Sequence, residues 1–286
     1  MATQSKSSPA NPIFDSQVQQ LGWPHTSSEM QQYIQIVIAI AALVTLLIGV
    51  ANKIGFNNTG SYAQNFIFDF MVPFNLMLFV AGTLVGFIAD ICYAVLPIHS
   101  IQQEILSGHW ELQRLTPHGD SQMIAAKDGI AQLRGQRIVI VEYAVRGITV
   151  ISILFGVLLY VVSPNSANEI VIIGLGTLLV ILVAIPYVLE PRWRMRALIA
   201  VGMAAAIQSS TPSMAVLTAL AYALGARLLQ LLIIVGVCFG VLTLIFAVFT
   251  MPFLIPLGGY LDYRLYKWVR FAMLKRVEHL AAKERA

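Results

Sequence analysis

The chain has 286 residues, of which 58% are hydrophobic and only 11% are charged. A soluble domain carries about 25% charged residues, so this chain lacks the polar surface that would keep a protein of its length in water. The composition excludes an ordinary soluble domain and predicts an all-α integral membrane protein. The net charge of +4 is modest, and its distribution along the chain is more informative than its total.

The first 31 residues are polar, and we expect a cytoplasmic tail without a secretory signal peptide, because no short apolar core lies close to the amino terminus. A membrane-spanning helix needs about 20 apolar residues. Six segments meet that length, which predicts a six-helix transmembrane domain over residues 32–256. The expected spans are 32–51, 66–97, 143–162, 169–189, 197–222 and 229–256.

The fifth span is the least regular of the six. Gln208, Ser209, Ser210, Thr211 and Pro212 lie in its middle. Two interpretations stay open: the segment is broken at these residues, or it is a complete span whose polar face packs on a neighbouring helix.

Lys and Arg residues predict the orientation, because they concentrate in cytoplasmic connections. We read 98–137 and 190–196 as inner connections, and a tight link near Gly225 as an outer one. With the amino terminus inside, only Lys53 and Arg227 of the 18 Lys and Arg residues fall in outer connections. An even number of spans then leaves both termini in the cytoplasm. We expect a multi-pass protein of the plasma (cytoplasmic) membrane.

Ionisable residues inside spans are the usual indicators of function in membrane proteins. Asp69 and Asp90 lie in the second span. Glu142 and Arg146 are four residues apart at the start of the third span, a helical spacing that allows an ion pair. For all of these we favour an interfacial or structural role over proton transfer.

The sequence offers no set of residues for catalysis, for a cofactor or for a metal. It has no phosphate-binding Gly-rich loop, and none of its five histidines lies deep in a span. We therefore expect no enzyme activity in this chain. The two cysteines, Cys92 and Cys238, lie inside apolar segments and lack the spacing of a metal site.

Two segments outside the spans are expected to form interfacial helices. Residues 257–286 have large apolar residues at helical spacing with basic residues on the other face, which predicts an amphipathic helix on the membrane surface. The loop 98–137 predicts a short helix over 104–117, a Thr-Pro turn and a second helix that Asp120 or Ser121 caps. An alternative, in which this hairpin lies at the membrane interface and only seals the bundle, stays open.

The loop 98–137 resembles the cytoplasmic loop of ABC transporter type-2 permeases, the export-type membrane subunits. Their pattern is Gly-Thr-(Leu/Trp)-Glu-Leu-Leu-x-x-Thr-Pro-Leu-Ser followed by a helix that reaches Gly-Lys. The matching residues are Gly108, Trp110, Glu111, Leu112, Leu115, Thr116, Pro117 and Lys127. Asn11-Pro12-Ile13-Phe14 is similar to the opening of the same family, which an elbow helix follows.

The resemblance implies that the chain is the permease subunit of an ABC-type exporter. Its partners would be a separate ATP-binding subunit, which holds ATP and Mg²⁺, and a second permease subunit that forms a homodimer or heterodimer with it. Membrane lipid is the remaining partner, and no nucleic acid is expected. The loop would be the coupling element to the ATPase, centred on Trp110 and Glu111. Polar residues expected to line a transport pathway are Asn75, Gln208, Ser209 and Ser210.

A protein of a different class also fits the sequence, namely a non-transporting scaffold or accessory subunit of a larger membrane complex. The sequence leaves the transported substrate open. Copurification with an ATP-binding subunit separates the two classes, because a scaffold would copurify with other membrane proteins and show no ATP hydrolysis.

Overall fold

The computed structural model describes residues 72–110, 120–161, 167–243 and 247–283. These residues are helical apart from short turns and contain no strand, as the composition predicts. Five helices follow one another along the described chain. They are α1 (Val72–Leu106), α2 (Asp120–Val161), α3 (Ala167–Gln208), α4 (Pro212–Thr243) and α5 (Ala247–Lys283). The predicted first span, the amino-terminal tail and Asp69 lie outside the described residues.

The five helices form an up-and-down bundle in which consecutive helices run antiparallel. Glu104 of α1 faces Lys127 of α2, and Gln230 of α4 faces Asp262 of α5. In each pair, a residue in the second half of one helix meets a residue in the first half of the following one. Helix α3 is central, since it packs against each of the other four helices.

Helices α1, α3 and α4 are long and apolar enough to cross a membrane, judged by length and composition among the described residues. This indicates a membrane-embedded protein. At 1.5 Å per residue, helices of 32 to 42 residues are about 48–63 Å long, whereas the hydrocarbon core of a bilayer is about 30 Å thick. The bundle therefore extends well beyond the hydrocarbon on at least one side.

Exposed apolar side chains divide the bundle into two parts along its length. Most of the large exposed apolar residues lie in four stretches of helix. These stretches are Leu76 to Ile91 on α1, Leu178 to Leu189 on α3, Leu228 to Phe239 on α4 and Phe253 to Leu261 on α5. We call this part the apolar end, and we call the opposite part, where α1 ends, α2 begins and the chain turns between α3 and α4, the loop end.

The loop end has a different kind of core. Residues 197–206 of α3 are all buried, and most are alanine or other small or medium apolar residues. Ala215, Ala219 and Ala223 of α4 are buried as well. Small side chains allow helix backbones to approach closely, so this part is a tightly packed bundle built from helix surfaces that face protein.

The predicted fifth span, 197–222, is wrong as a single membrane helix. Its first half is the end of α3, its second half is the start of α4, and the chain turns at Ser209–Thr211. Thr211 Oγ1 accepts a hydrogen bond from the Met214 amide at 3.4 Å, and Pro212 is the first residue of α4. This is a typical helix start, so the alternative of a broken segment is confirmed.

Two predicted connections are also wrong, because both lie inside continuous helices. Residues 190–196 belong to α3, and Gly225 belongs to α4. The predicted sixth span, 229–256, includes the end of α4 and the start of α5. The residues expected to form a separate amphipathic helix after 257 continue α5 as far as Lys283.

Candidate functional site: a buried ion network between five helices

A network of charged side chains lies in the interior of the bundle where the apolar end meets the loop end. All five helices contribute to it. Its charged and polar members are Asp90 on α1, Glu142 and Arg146 on α2, Glu190 and Arg194 on α3, Arg227 and Gln230 on α4, and Asp262 and Tyr266 on α5.

Arg194 is the centre of the network and is fully buried, with 0% of its surface exposed. It forms ion pairs with Asp90 and with Glu142, and its Nη1 donates to Glu190 Oε1 at 2.6 Å. The three carboxylates come from three different helices. A buried guanidinium is tolerated only where such partners replace its water, so Arg194 fixes α1, α2 and α3 in one arrangement.

Arg146 also forms a hydrogen bond with the α3 backbone next to a proline. Pro191 has no amide hydrogen, so within α3 the carbonyl of Tyr187, four residues earlier, has no helical donor from that position. Arg146 of α2 donates to this carbonyl. It also donates to Glu190 Oε2 and to Glu142 Oε1, each at 2.8 Å. The proline is thus accommodated inside a continuous helix by a side chain of its neighbour.

Arg227 connects α4 to the network. Its guanidinium pairs with Asp90, and its Nη1 lies 3.2 Å from Glu190 Oε1 and 2.9 Å from Gln230 Oε1. The predicted assignment of Arg227 to an outer connection is therefore wrong. Gly86 of α1 makes room for this crossing, because a Cβ there would lie 3.2 Å from Arg227 Nη2 and 3.2 Å from Glu142 Oε1.

Gln230 passes the network on to α5. Its amide nitrogen donates to Glu190 Oε1 at 2.8 Å and to Asp262 Oδ2 at 2.9 Å, and its oxygen accepts from the Tyr266 hydroxyl at 2.9 Å. The nitrogen and the oxygen of this side-chain amide thus both have charged or hydroxyl partners. The network therefore reaches α5 through a neutral group.

Asp262 lies outside the three candidate membrane spans, and burial raises the pKa of its carboxyl to about 6, against the lowering effect of the Gln230 hydrogen bond. The folded protein thus binds this proton more tightly than the unfolded chain, in which the pKa of the carboxyl is 3.8. The resulting stability is fully present below pH 4 and is lost as the pH rises to about 6.

We expect the thermal midpoint of the wild-type protein to fall between pH 4 and pH 6.5 by more than that of Asp262→Asn, which cannot ionise. Thermal unfolding of both proteins in the same detergent across this pH range measures the difference. Parallel curves for the two proteins would contradict the assignment.

The coupling-loop residues predicted from the sequence fall into two groups. Gly108 has a positive φ of 72°, which ends α1 in the manner of a glycine C-cap. Trp110 is only 4% exposed and packs in the core of this chain. Lys127 is buried on α2 and pairs with Glu104 of α1. The remaining predicted residues, Glu111, Leu112, Leu115, Thr116 and Pro117, lie outside the described residues.

The residues expected to line a pathway are not close together. Asn75 lies near the start of α1 at the apolar end, whereas Gln208, Ser209 and Ser210 lie at the turn after α3 at the loop end. Gln102 of α1 donates to the carbonyls of Ala206 and, at 3.0 Å, of Ser209, so it caps the end of α3. The role of the four predicted pathway residues in transport stays a prediction.

Sequence reasoning found the Glu142–Arg146 pair, which the structure confirms at 2.8 Å, and it placed Asp90 in a span. It missed Glu190, Arg194, Arg227 and the two α5 residues as partners. A usable signal was present, because Glu190 and Arg194 repeat the same four-residue spacing. Among the described residues, no group of three or more His, Cys, Asp or Glu side chains could hold a metal ion.

The fold and the network define a membrane-embedded helical bundle whose helices are joined through buried charges. No protein-family model, no curated protein and no solved structure matches this chain.

Proposed function

We propose that the chain is the membrane-spanning permease subunit of an ABC-type exporter in the plasma (cytoplasmic) membrane, driven by a separate ATP-binding subunit. One observation carries the proposal. The resembling segment 98–137 includes the end of α1 and the start of α2. These two helices run without interruption from the loop end to the apolar end and join the other three helices through the ion network. A displacement applied at the loop would move the apolar ends of several helices together.

The surface beside the loop suits a protein partner. A cavity of about 490 Å³ opens there between α1 and α2. Its lining is mixed in charge and polarity, with His109, Arg134 and the Glu104–Lys127 pair on its wall. Polar and charged lining of this kind favours a specific, reversible contact over permanent burial.

The buried position of Trp110 refines the expected coupling element. We assign Trp110 to hold the loop on the bundle, and Glu111 with the following residues to contact the ATPase. ATP and Mg²⁺ would bind the partner, and a second permease subunit would complete the complex. The partner must bind two conformations of the loop with different affinities, because otherwise ATP could not bias the permease.

Glu111→Ala is expected to weaken ATPase binding about 10- to 150-fold, since a charged hydrogen bond contributes roughly 1.5–3 kcal/mol and each 1.4 kcal/mol corresponds to a factor of ten. The affinity of the purified subunits for each other, with ATP hydrolysis by the complex as a second readout, measures this change. Glu278→Ala is the matched control, because Glu278 is an exposed acid on α5.

Copurification from membranes decides between this proposal and a scaffold. A permease retains an ATP-binding subunit, and the complex hydrolyses ATP. The second candidate, a non-transporting accessory subunit, is favoured by the packing of Trp110 in this chain's own core. Copurification of other membrane proteins without any ATPase would support that candidate. Glu111→Ala would then have no more effect on partner binding than the control Glu278→Ala.

A further inference from the structure

An apolar groove on the outside of the bundle lies between α3 and α5, just on the apolar side of the ion network. Its volume is about 320 Å³, within the range of small-ligand sites. Leu182, Ile185 and Pro186 of α3 form one wall, and Pro256, Gly259 and Tyr263 belong to α5. Almost all of the lining surface is apolar.

The backbone geometry creates this groove. A Cβ at Gly259 would lie 2.7 Å from Pro186 Cβ, so α3 and α5 are in close contact at this glycine. Larger side chains of both helices line the groove around this contact. Ile185 and Leu257 are exposed beside it, which makes the groove continuous with the apolar outer surface of the bundle.

One end of the groove is aromatic and positively charged. The rings of Trp193 and Tyr263 pack edge to face with centroids 5.0 Å apart. The Arg264 guanidinium lies 5.8 Å from the centre of the Tyr260 ring, and the Lys267 ammonium lies 5.7 Å from the centre of the Tyr263 ring. Both cations are exposed. Their nearest acid along α5, Asp262, is hydrogen-bonded to Gln230 inside the bundle.

We propose that this groove binds an anionic phospholipid, with an acyl chain along the α3–α5 groove and the phosphate next to Arg264 and Lys267. Three features support this occupant over a protein helix. The groove opens on the surface that faces lipid, and its aromatic end has the residue types that concentrate at the membrane interface. Arg264 and Lys267, which form no ion pair with any residue that the structure describes, match one anionic headgroup. Interfacial cations attract anionic lipid by an amount that corresponds to roughly fivefold in affinity for each charge.

The test uses Trp193 as the probe, because this indole lines the groove. The full-length protein is reconstituted in phosphatidylcholine vesicles that contain either phosphatidylglycerol or phosphatidylcholine with brominated acyl chains, which quench nearby indoles. Subtracting the fluorescence of Trp193→Phe removes the contribution of the other tryptophans. We expect half-maximal quenching at a roughly 20-fold lower mole fraction of brominated phosphatidylglycerol than of brominated phosphatidylcholine.

Two double variants locate the site. Arg264→Gln with Lys267→Gln is expected to abolish the preference, and Lys275→Gln with Arg276→Gln, which removes the same charge from exposed positions further along α5, is expected to keep it. Equal quenching by the two lipids, no quenching by either, or an equal loss of preference in both double variants would each overturn the proposal. Absence of quenching is also the result expected if a second copy or another protein covers the groove.

Discussion

Arg194→Met is expected to lower the free energy of unfolding by about 3–5 kcal/mol, the cost of removing one partner from a buried ion network. Arg194 is fully buried and pairs with Asp90, Glu142 and Glu190. Methionine fills a similar volume without the charge, so three buried carboxylates would share only Arg146 and Arg227. Thermal and denaturant unfolding of the purified protein in detergent measures the loss.

Arg192→Met is the matched control, because Arg192 lies on the same helix two residues earlier and is exposed. Exposed substitutions usually change stability by less than about 0.5 kcal/mol. If Arg194→Met and Arg192→Met unfold at the same midpoint, the network does not stabilise the bundle.

A second substitution tests whether the loss comes from charge and not from volume. Glu142→Gln removes one carboxylate from the set that Arg194→Met leaves in excess. The double variant is therefore expected to be more stable than Arg194→Met alone, although Glu142→Gln by itself destabilises the wild type. Additive losses in this double-mutant cycle would contradict a coupled network.

Hydropathy predicted where the chain is helical and where most of the apolar length lies, because lipid-facing and core-facing positions both require apolar side chains. Hydropathy could not distinguish contact with lipid from contact with other helices at residues 197–222. Ala197, Ala200 and Ala206 have 0% exposure inside the described bundle, so residues 197–206 are apolar because they face other helices, whereas Met214 and Leu217 in the second half are exposed. A sequence window contains no information on whether the neighbour is lipid or protein.

The sequence predicts a connection at residues 190–196, which lie between two apolar segments and contain three arginines. The structure keeps α3 continuous there through partners that are far away in sequence. Arg146 satisfies the Tyr187 carbonyl that Pro191 leaves without a donor, and Asp90 and Glu142 neutralise Arg194. A local pattern cannot reveal such partners, although the Glu-x-x-x-Arg spacing that recurs in α2 and α3 hints at them.

The same network changes how the basic residues bear on orientation. The count that placed both termini inside treated Arg194 and Arg227 as loop charges, but both are held by carboxylates inside the bundle. Orientation by Lys and Arg depends on short loops and flanking residues. Residues 98–106 and 120–137 belong to α1 and α2, so the basic residues at the loop end of α2 and α5 have to carry that argument. The predicted orientation therefore depends on fewer charges than the sequence suggests.

Gly202→Ala is expected to destabilise the protein by about 3 kcal/mol, the upper part of the range for overpacking a core. A Cβ at Gly202 would overlap the carbonyl oxygen of Ala94 and lie 2.7 Å from Pro97 Cγ. Neither the backbone nor the proline ring can move aside without separating α1 from α3. Since these helices also meet at the Asp90–Arg194 ion pair, the shift would strain the network as well.

Gly225→Ala makes the identical chemical change with the opposite expected sign. Nothing lies within 4 Å of a Cβ at Gly225, which is inside α4, so alanine is expected to stabilise the helix by about 0.5–1 kcal/mol through its better helix propensity. Unfolding midpoints of both variants, measured side by side in detergent, test the pair. Opposite shifts require that α1 and α3 touch at Gly202, whereas stabilisation by both alanines would mean that the helices are further apart there than the structure places them.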